Sequence, residues 1–300
     1  QARPRAPTPA KSRWRGPPKT TFAAASASRL ASPSPAAPSS PMPMIVSQGS
    51  DMKRVLLLGG TTEASDLARL LAGAGIDAVF SYAGRTAAPV TQPLPMRIGG
   101  FGGASGLADW LQGAGISHVI DATHPFAARM SHNAHAACTE LGLPLLALQR
   151  PAWQPGPGDD WQPVPDIAGA VAALPDRPAR VFLAIGKQNL DPFARLPHDW
   201  LLRLVDAPDS PPLPRAQVVI ARGPFTADGD RSLMAAHRIT HLVAKNSGGA
   251  GASAKLQAAR DLGVRVVMID RPALPDRATV ATPAEALDWL HQTAPALRGV

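Results

Sequence analysis

Short apolar runs alternate with amphipathic helical patterns along most of the chain. Residues 54–58 form an apolar run that ends at a glycine pair, which is typical of a buried strand. The next segment places Leu67, Leu70 and Leu71 on one helical face and ends at Gly75, so it predicts a helix. The predicted strands are residues 54–58, 78–82, 96–98, 118–121, 145–148, 180–185, 200–205, 217–221, 241–244 and 264–269. This alternation of strand and helix favours parallel sheets.

The predicted elements fall into two α/β halves. We predict one Rossmann-like parallel-sheet domain over residues 52–150 and a second over 166–300, with a cleft between them. Residues 151–165 are rich in proline and glycine and are predicted to be a linker. Residues 1–51 lack periodicity and are predicted to be a disordered Pro/Ala/Ser/Arg-rich leader, with Met52 as the natural start. A targeting segment is the alternative for the leader.

Charge and cysteine content narrow the class of protein. The formal net charge is +8, but seven basic and no acidic residues lie in residues 1–50, so the remainder is nearly neutral and nucleic-acid binding is not expected. The single cysteine, Cys138, excludes an internal disulfide and favours the cytoplasm. No apolar stretch is long enough to predict a membrane-spanning helix.

The ends of the first three predicted strands carry residues suited to a nucleotide. The loop after the first strand offers backbone N–H groups and hydroxyls to a phosphate, although it lacks the third glycine of the G-x-G-x-x-G pattern. After the second strand an arginine replaces the acidic residue that NAD prefers, which favours NADPH. An ordinary strand-helix turn without a ligand is the alternative. The predicted cofactor-binding residues are Gly59, Gly60, Thr61, Thr62, Glu63, Ser81, Gly84, Arg85, Gly100 and Gly102.

The turn after the fourth predicted strand carries several side chains that could take part in catalysis. Asp121, Thr123 and His124 bring a carboxylate, a hydroxyl and an imidazole to the carboxyl end of a strand, where α/β sheets place their sites. The following helix carries His132, His135 and Cys138, which spread around its surface rather than converge. We therefore predict no metal site.

Taken together in order, the motifs resemble the precorrin-6A reductases of cobalamin biosynthesis. The resemblance spans residues 53 to about 292 and departs at Asp230, where the family tends to have glutamate. The motifs are Leu58-Gly59-Gly60-Thr61-Thr62-Glu63-Ala64, Ala83-Gly84-Arg85-Thr86, Gly99-Gly100-Phe101-Gly102-Gly103, Asp121-Ala122-Thr123-His124-Pro125-Phe126-Ala127, Arg222-Gly223-Pro224-Phe225, Lys245-Asn246-Ser247-Gly248-Gly249 with Lys255, and Arg271-Pro272.

The resemblance implies a reductase that passes a hydride from NADPH to a ring carbon of precorrin-6A, giving precorrin-6B, with a proton taken up beside it. Such a small-molecule substrate carries many carboxylates, which suits arginine and lysine at predicted strand ends. The proton donor or its positioning group is expected to be His124 or Asp121, with His124 favoured by its ordinary pKa. The expected substrate-binding residues are Thr123, Phe126, Lys187, Arg222, Lys245, Asn246, Ser247, Gly248 and Arg271.

Three alternatives remain open at this point. A cobalt-precorrin-6A reductase of the anaerobic route has a similar sequence pattern. A two-domain small-molecule binding protein also pairs two α/β halves, but no secretory signal is evident. A sugar-nucleotide epimerase or dehydratase is disfavoured because the only tyrosine, Tyr82, is not part of a Tyr-x-x-x-Lys pair.

Overall fold

Two six-stranded sheets, in which every strand pair is parallel, form the framework of the computed structural model. The structure describes residues 53–84 and 89–293, so the predicted leader and Arg85 lie outside the described residues. The predicted α/β class with two parallel sheets is confirmed. Within the described ranges, no helix is both long and apolar enough to cross a membrane.

The first sheet is covered by helices on both faces. In spatial order its strands are β3 (Met96–Ile98), β2 (Asp77–Tyr82), β1 (Arg54–Leu58), β4 (His118–Asp121), β5 (Leu145–Leu148) and β12 (Ala278–Val280). Its helices are α1 (Thr62–Gly73), α2 (Ala104–Gly113), α3 (Ala128–Leu141) and α7 (Pro283–Gln292). Alternate side chains of β1 point to opposite faces. Val55 and Leu57 pack with α1 and α7, whereas Leu56 and Leu58 pack with α2 and α3.

The second sheet repeats this arrangement. In spatial order its strands are β9 (Ala216–Ile220), β8 (Asp199–Leu204), β7 (Arg180–Ala184), β10 (His241–Lys245), β11 (Arg265–Ile269) and β6 (Trp161–Val164). Its helices are α4 (Ile167–Ala172), α5 (Ala227–Ala236) and α6 (Ala254–Leu262), with short 3-10 helices at Lys187–Asn189, Asp191–Phe193 and Ala250–Ala252. Val181 and Leu183 pack on the α4 side of this sheet, and Phe182 packs with α5 and α6.

The chain crosses between the sheets twice. Strand β6 lies within the predicted linker but forms the edge of the second sheet, where Pro163 is tolerated in a strand. Strand β12 and helix α7 follow the second sheet in sequence but belong to the first. The first crossing segment is residues 149–160, and the second is residues 270–277. The expectation that 166–300 forms one continuous half is therefore wrong for its last strand and helix, because a strand pattern does not specify which sheet edge the strand will join.

A buried ion pair holds the start of β12 against the end of β4. The Nη1 of Arg277 donates to Oδ2 of Asp121 at 2.6 Å, and the two side chains are 7% and 1% exposed. Asp121 also accepts hydrogen bonds from the Ser131 hydroxyl at 2.6 Å and from the Thr123 hydroxyl and backbone N–H at 2.6 and 3.1 Å. Both oxygens of the Asp121 carboxylate are thus hydrogen-bonded. The ion pair fixes β12 beside the turn that carries Thr123 and His124.

Removing one member of this pair should destabilise the fold strongly. Asp121→Asn or Arg277→Met leaves a buried charged group without its partner, so we expect a loss of about 3–5 kcal/mol in the free energy of unfolding, measured with urea. The double variant should lose less than the sum of the two single losses. The exposed Arg265–Asp160 pair is the control, since Arg265→Met should cost about 1 kcal/mol or less. A single variant as stable as wild type would contradict this assignment.

Candidate active site

The carboxyl ends of the two sheets face each other. The Nε of Arg150, which follows β5, donates to the Ser247 carbonyl after β10 at 2.8 Å. The Nζ of Lys245, at the end of β10, lies 5.2 Å from the centre of the Phe126 ring, which follows β4 and packs on the apolar core of the second half. The candidate site is therefore formed by loops from both sheets.

The loop between β1 and α1 has the geometry of an anion-binding turn. Thr61 caps α1, and its hydroxyl donates to the Ala122 carbonyl at 2.9 Å. Gly60 has φ +132°, and a Cβ placed on it would meet open space. Gly59 must lack a side chain because a Cβ there would collide with the Phe80 ring. The Ala64 N–H donates to the Thr61 hydroxyl at 3.1 Å, and the N–H groups of Thr62 and Glu63, which have no carbonyl partner within the helix, point toward the position that an anion would occupy.

Arg97 organises the neighbouring loops and was not selected from the sequence. Its Nη1 donates to the hydroxyl of Ser81, which is only 4% exposed, and to the Gly99 carbonyl, at 3.1 and 3.0 Å. Its Nη2 donates to the Gly100 carbonyl at 3.1 Å, and its guanidinium carbon lies 3.6 Å from the centre of the Phe101 ring. The register of β2 and β3 pairs Ser81 with Arg97, and no sequence pattern specifies that register.

The predicted cofactor residues Gly84 and Gly102 lie at the same edge of the first sheet. Gly84 and Gly102 adopt positive φ angles of +73° and +84°. A Cβ on Gly84 would lie 3.5 Å from the backbone of Gly99, so the loops after β2 and β3 pack closely. The described parts of the loops after β1, β2 and β3 therefore lie side by side and form a rim, along which Gly60, Gly100 and Gly102 face open space. Glycine backbone at this edge of a parallel sheet is the type of surface that nucleotides bind.

His124 lies where both halves contribute charge. Its Nδ1 accepts a hydrogen bond from the Phe126 N–H at 3.2 Å, so the neutral imidazole carries its proton on Nε2. Burial lowers the pKa of His124 to about 4, and nearby cations contribute further lowering. Those cations are Arg150, Lys245, Arg271 and Lys255. His124 therefore does not have the ordinary pKa on which its selection rested, and its imidazole is uncharged at neutral pH.

Asp121 and Thr123 support the His124 turn. The Thr123 hydroxyl donates a hydrogen bond to the Asp121 carboxylate. That carboxylate also accepts hydrogen bonds from Arg277 and Ser131. Because Asp121 is buried and both of its oxygens are engaged, its geometry favours a positioning role over proton transfer. Arg277 escaped the sequence analysis because it approaches Asp121 from the second crossing segment.

The loop after β10 is held by the first crossing segment. The Asn246 side chain accepts from the Trp153 N–H at 2.8 Å and donates to the Trp153 carbonyl at 3.1 Å. Gly248 has φ +68°, and a Cβ on it would collide with the Pro151 carbonyl oxygen. Ser247 is buried, and its carbonyl accepts from Arg150. These predicted ligands therefore also have a structural function that the sequence did not predict.

Further cations surround this loop. Arg271 donates from Nε to the Asn246 carbonyl at 2.9 Å, and burial lowers its pKa. Lys255 is 6% exposed, donates to the Ala252 carbonyl and lies 4.8 Å from the centre of the Trp153 ring. Burial lowers the pKa of Lys255 to about 8, with a contribution from Arg203. The edge is strongly cationic and partly dehydrated, which suits a ligand with several carboxylates.

Lys187 and Arg222 extend the cationic edge outward. Both are exposed, and they follow β7 and β9 respectively. Asp230, the position that departs from the family pattern, is buried and paired with Arg203. Among the residues that the structure describes, no three His, Cys, Asp or Glu side chains come together as metal ligands.

Comparisons with known proteins agree on one family. The family model described as "Precorrin-6x reductase CbiJ/CobK" matches residues 54–291. A precorrin-6A reductase from Rhodobacter capsulatus is 61% identical over 251 residues, which cover 83% of this chain and 100% of that protein. A cobalt-precorrin-6A reductase from Priestia megaterium is 29% identical over 73% of this chain and 91% of its own length. The solved structure titled "CobK precorrin-6A reductase" superposes with a TM-score of 0.77 at 60% identity, covering 83% of this chain and 100% of that one.

The lowered pKa of His124 has a measurable consequence for stability. Between about pH 6.5 and pH 4 the unfolded protein binds a proton at this residue and the folded protein does not, so stability falls as the pH falls through this range. We expect His124→Gln to lose less stability than wild type between pH 6.5 and pH 4 in urea unfolding. His132→Gln, which changes an exposed histidine on α3, is the matched control. Equal losses in His124→Gln and wild type would show that His124 is not held uncharged.

Proposed function

Because the chain belongs to the precorrin-6x reductase family, we propose that it reduces precorrin-6A to precorrin-6B with NADPH as the hydride donor, in cobalamin biosynthesis. The observation that carries this proposal is the placement of a nucleotide-type rim on the first sheet opposite a cationic loop on the second. The main task of such a reductase is to hold the nicotinamide ring of the cofactor against the substrate in the correct orientation. The single cysteine and the biosynthetic role support a cytoplasmic enzyme.

The first sheet is proposed to hold the cofactor. When bound, NADPH supplies a hydride from its nicotinamide ring. The loop from Gly59 to Glu63 would hold phosphate through the N-terminus of α1. Arg97 shapes the rim formed by Ser81, Gly100 and Gly102. From its sequence position, Arg85 is proposed to bind the 2′-phosphate, which would favour NADPH over NADH.

The second sheet is proposed to bind the polycarboxylate substrate. Lys245 and Arg271 lie at adjacent strand ends beside His124, and Lys187 and Arg222 lie farther out on the same sheet. Their positive charges match acetate and propionate groups. The remaining proposed contacts come from Thr123, Phe126, Asn246, Ser247 and Gly248, of which Phe126 offers an aromatic face to the macrocycle.

His124 is proposed to deliver the proton that accompanies the hydride. Burial and four cations keep it neutral. Substrate carboxylates bound to two of those cations, Lys245 and Arg271, would offset part of the positive charge and raise the pKa of His124, which would then hold a proton for transfer from Nε2. Asp121 would keep the turn in place through Thr123.

The metal-free substrate is favoured over the cobalt-containing one. Two relatives named precorrin-6A reductase are 61% and 48% identical to this chain, whereas two named cobalt-precorrin-6A reductase are 29% and 27% identical. The cationic groups recognise peripheral carboxylates, which both substrates carry. The proposal for the metal-free form therefore rests on similarity.

Replacing Arg85 should separate the two nicotinamide cofactors. Without a charge-assisted contact to the 2′-phosphate, Arg85→Ala should raise the Kd for NADPH about 10–100-fold and leave that for NADH nearly unchanged, as followed by nicotinamide fluorescence. Arg97→Ala is the comparison, because loss of its bonds to the rim carbonyls should weaken both cofactors alike. Equal weakening of both cofactors by Arg85→Ala would refute the 2′-phosphate role.

Replacing Lys245 should affect the substrate alone. Lys245→Ala removes a cation from the edge of the second sheet, so we expect the Kd for precorrin-6A to rise about 10–100-fold while that for NADPH changes less than about threefold. Arg180→Ala is matched in charge but lies at the start of β7, at the opposite edge of the same sheet, and should change neither. A loss of NADPH affinity in Lys245→Ala would instead assign this loop to the cofactor.

A further inference from the structure

We infer that Arg150 is a positioning residue that couples cofactor binding on the first sheet to substrate binding on the second. This inference rests on the proposed function, since it assigns a ligand to each side of the site. Arg150 follows β5 at the beginning of the first crossing segment, and the sequence analysis did not select it.

One guanidinium joins the two loops. The Nη1 of Arg150 donates to Oε2 of Glu63 at 2.6 Å, and the two side chains are only 16% and 21% exposed. The Nε of the same group donates to the Ser247 carbonyl at 2.8 Å. Glu63 lies in the first turn of α1, within the proposed phosphate loop, and Ser247 lies in the proposed substrate loop. Because a guanidinium is planar and rigid, neither loop can shift relative to it without straining a bond.

The packing around Arg150 leaves little space for independent movement. A Cβ on Gly249 would lie 2.6 Å from Cδ of Arg150, so this glycine permits the loop to rest directly on the arginine stem. Three residues after Arg150 in the crossing segment, the backbone of Trp153 is held by both polar atoms of the Asn246 amide. The loop after β10, which is the proposed substrate loop, therefore has to move together with residues 150–153.

The charges give the coupling its sign. A carboxylate in the first turn of α1 would repel an incoming phosphate, and Arg150 neutralises that carboxylate. The same contact fixes the position of the substrate loop through Ser247. A ligand that orders one loop thus orders the other through Arg150, and the second ligand binds with a smaller ordering cost. The expected coupling is positive.

The test measures the Kd of NADP⁺ with and without saturating precorrin-6A, since the oxidised cofactor permits no turnover. Wild type should bind NADP⁺ about 5–150-fold more tightly when precorrin-6A is present. In Arg150→Lys and Glu63→Gln, the addition of precorrin-6A should change the Kd of NADP⁺ by less than about twofold. Asp66→Asn and Arg69→Lys change an exposed ion pair on the same helix and should keep the wild-type factor. Thermal melts establish which variants are folded, and Glu63→Gln decides if Arg150→Lys is not.

Several outcomes would overturn the inference. A wild-type factor near unity would do so, as would a factor that both variants retain. Weaker binding of one ligand alone with an unchanged factor would make Arg150 a direct ligand instead of a coupling residue. If wild type bound neither NADP⁺ nor precorrin-6A, the proposed function itself would fail, and this result is distinct from normal binding without coupling.

Discussion

The site depends on one constraint, which is that the carboxyl ends of the strands in the two sheets face each other. Parallel strands place all their functional loops at one edge, so two sheets can share a site only if those edges meet. Here the chain crosses between the sheets through residues 149–160 and 270–277, and each crossing segment supplies an arginine that fixes a loop or strand near the site. Arg150 contacts loops of both sheets. Arg277 fixes β12, which follows the second sheet in sequence but belongs to the first, beside Asp121. The sixth strand of each sheet thus ties the halves together as well as completing a sheet.

The electrostatics of the junction follow from this arrangement. Loops from both halves bring four cations close to His124, and burial strengthens their influence because water is partly excluded. The site therefore favours anions and disfavours an added proton on His124. An anionic substrate would reverse both preferences at once, and binding would thereby be linked to protonation. This linkage is the physical content of the proposed mechanism.

Local patterns predicted much of the fold. The strand from Arg54 to Leu58 and the helix that follows are specified within about twenty residues, and the structure contains both, although the helix ends at Gly73 and Leu70 is exposed. Strands β6 and β12 were missed because they are short and Pro163 interrupts the first pattern. Arg277 and Arg150 were missed because their partners lie 156 and 97 residues away in sequence, where no local pattern reports a contact. The motifs located the site, but long-range contacts determine which side chains are available to a ligand.

Isotope transfer tests the central claim most directly. The full chain would be incubated with precorrin-6A and NADPH deuterated at the transferable position of the nicotinamide, and the product would be examined by mass spectrometry. We expect one deuterium in each product molecule, with the accompanying proton taken from solvent. Reduced product without deuterium, or no reduction despite binding of both ligands, would contradict direct hydride transfer between the two sheets.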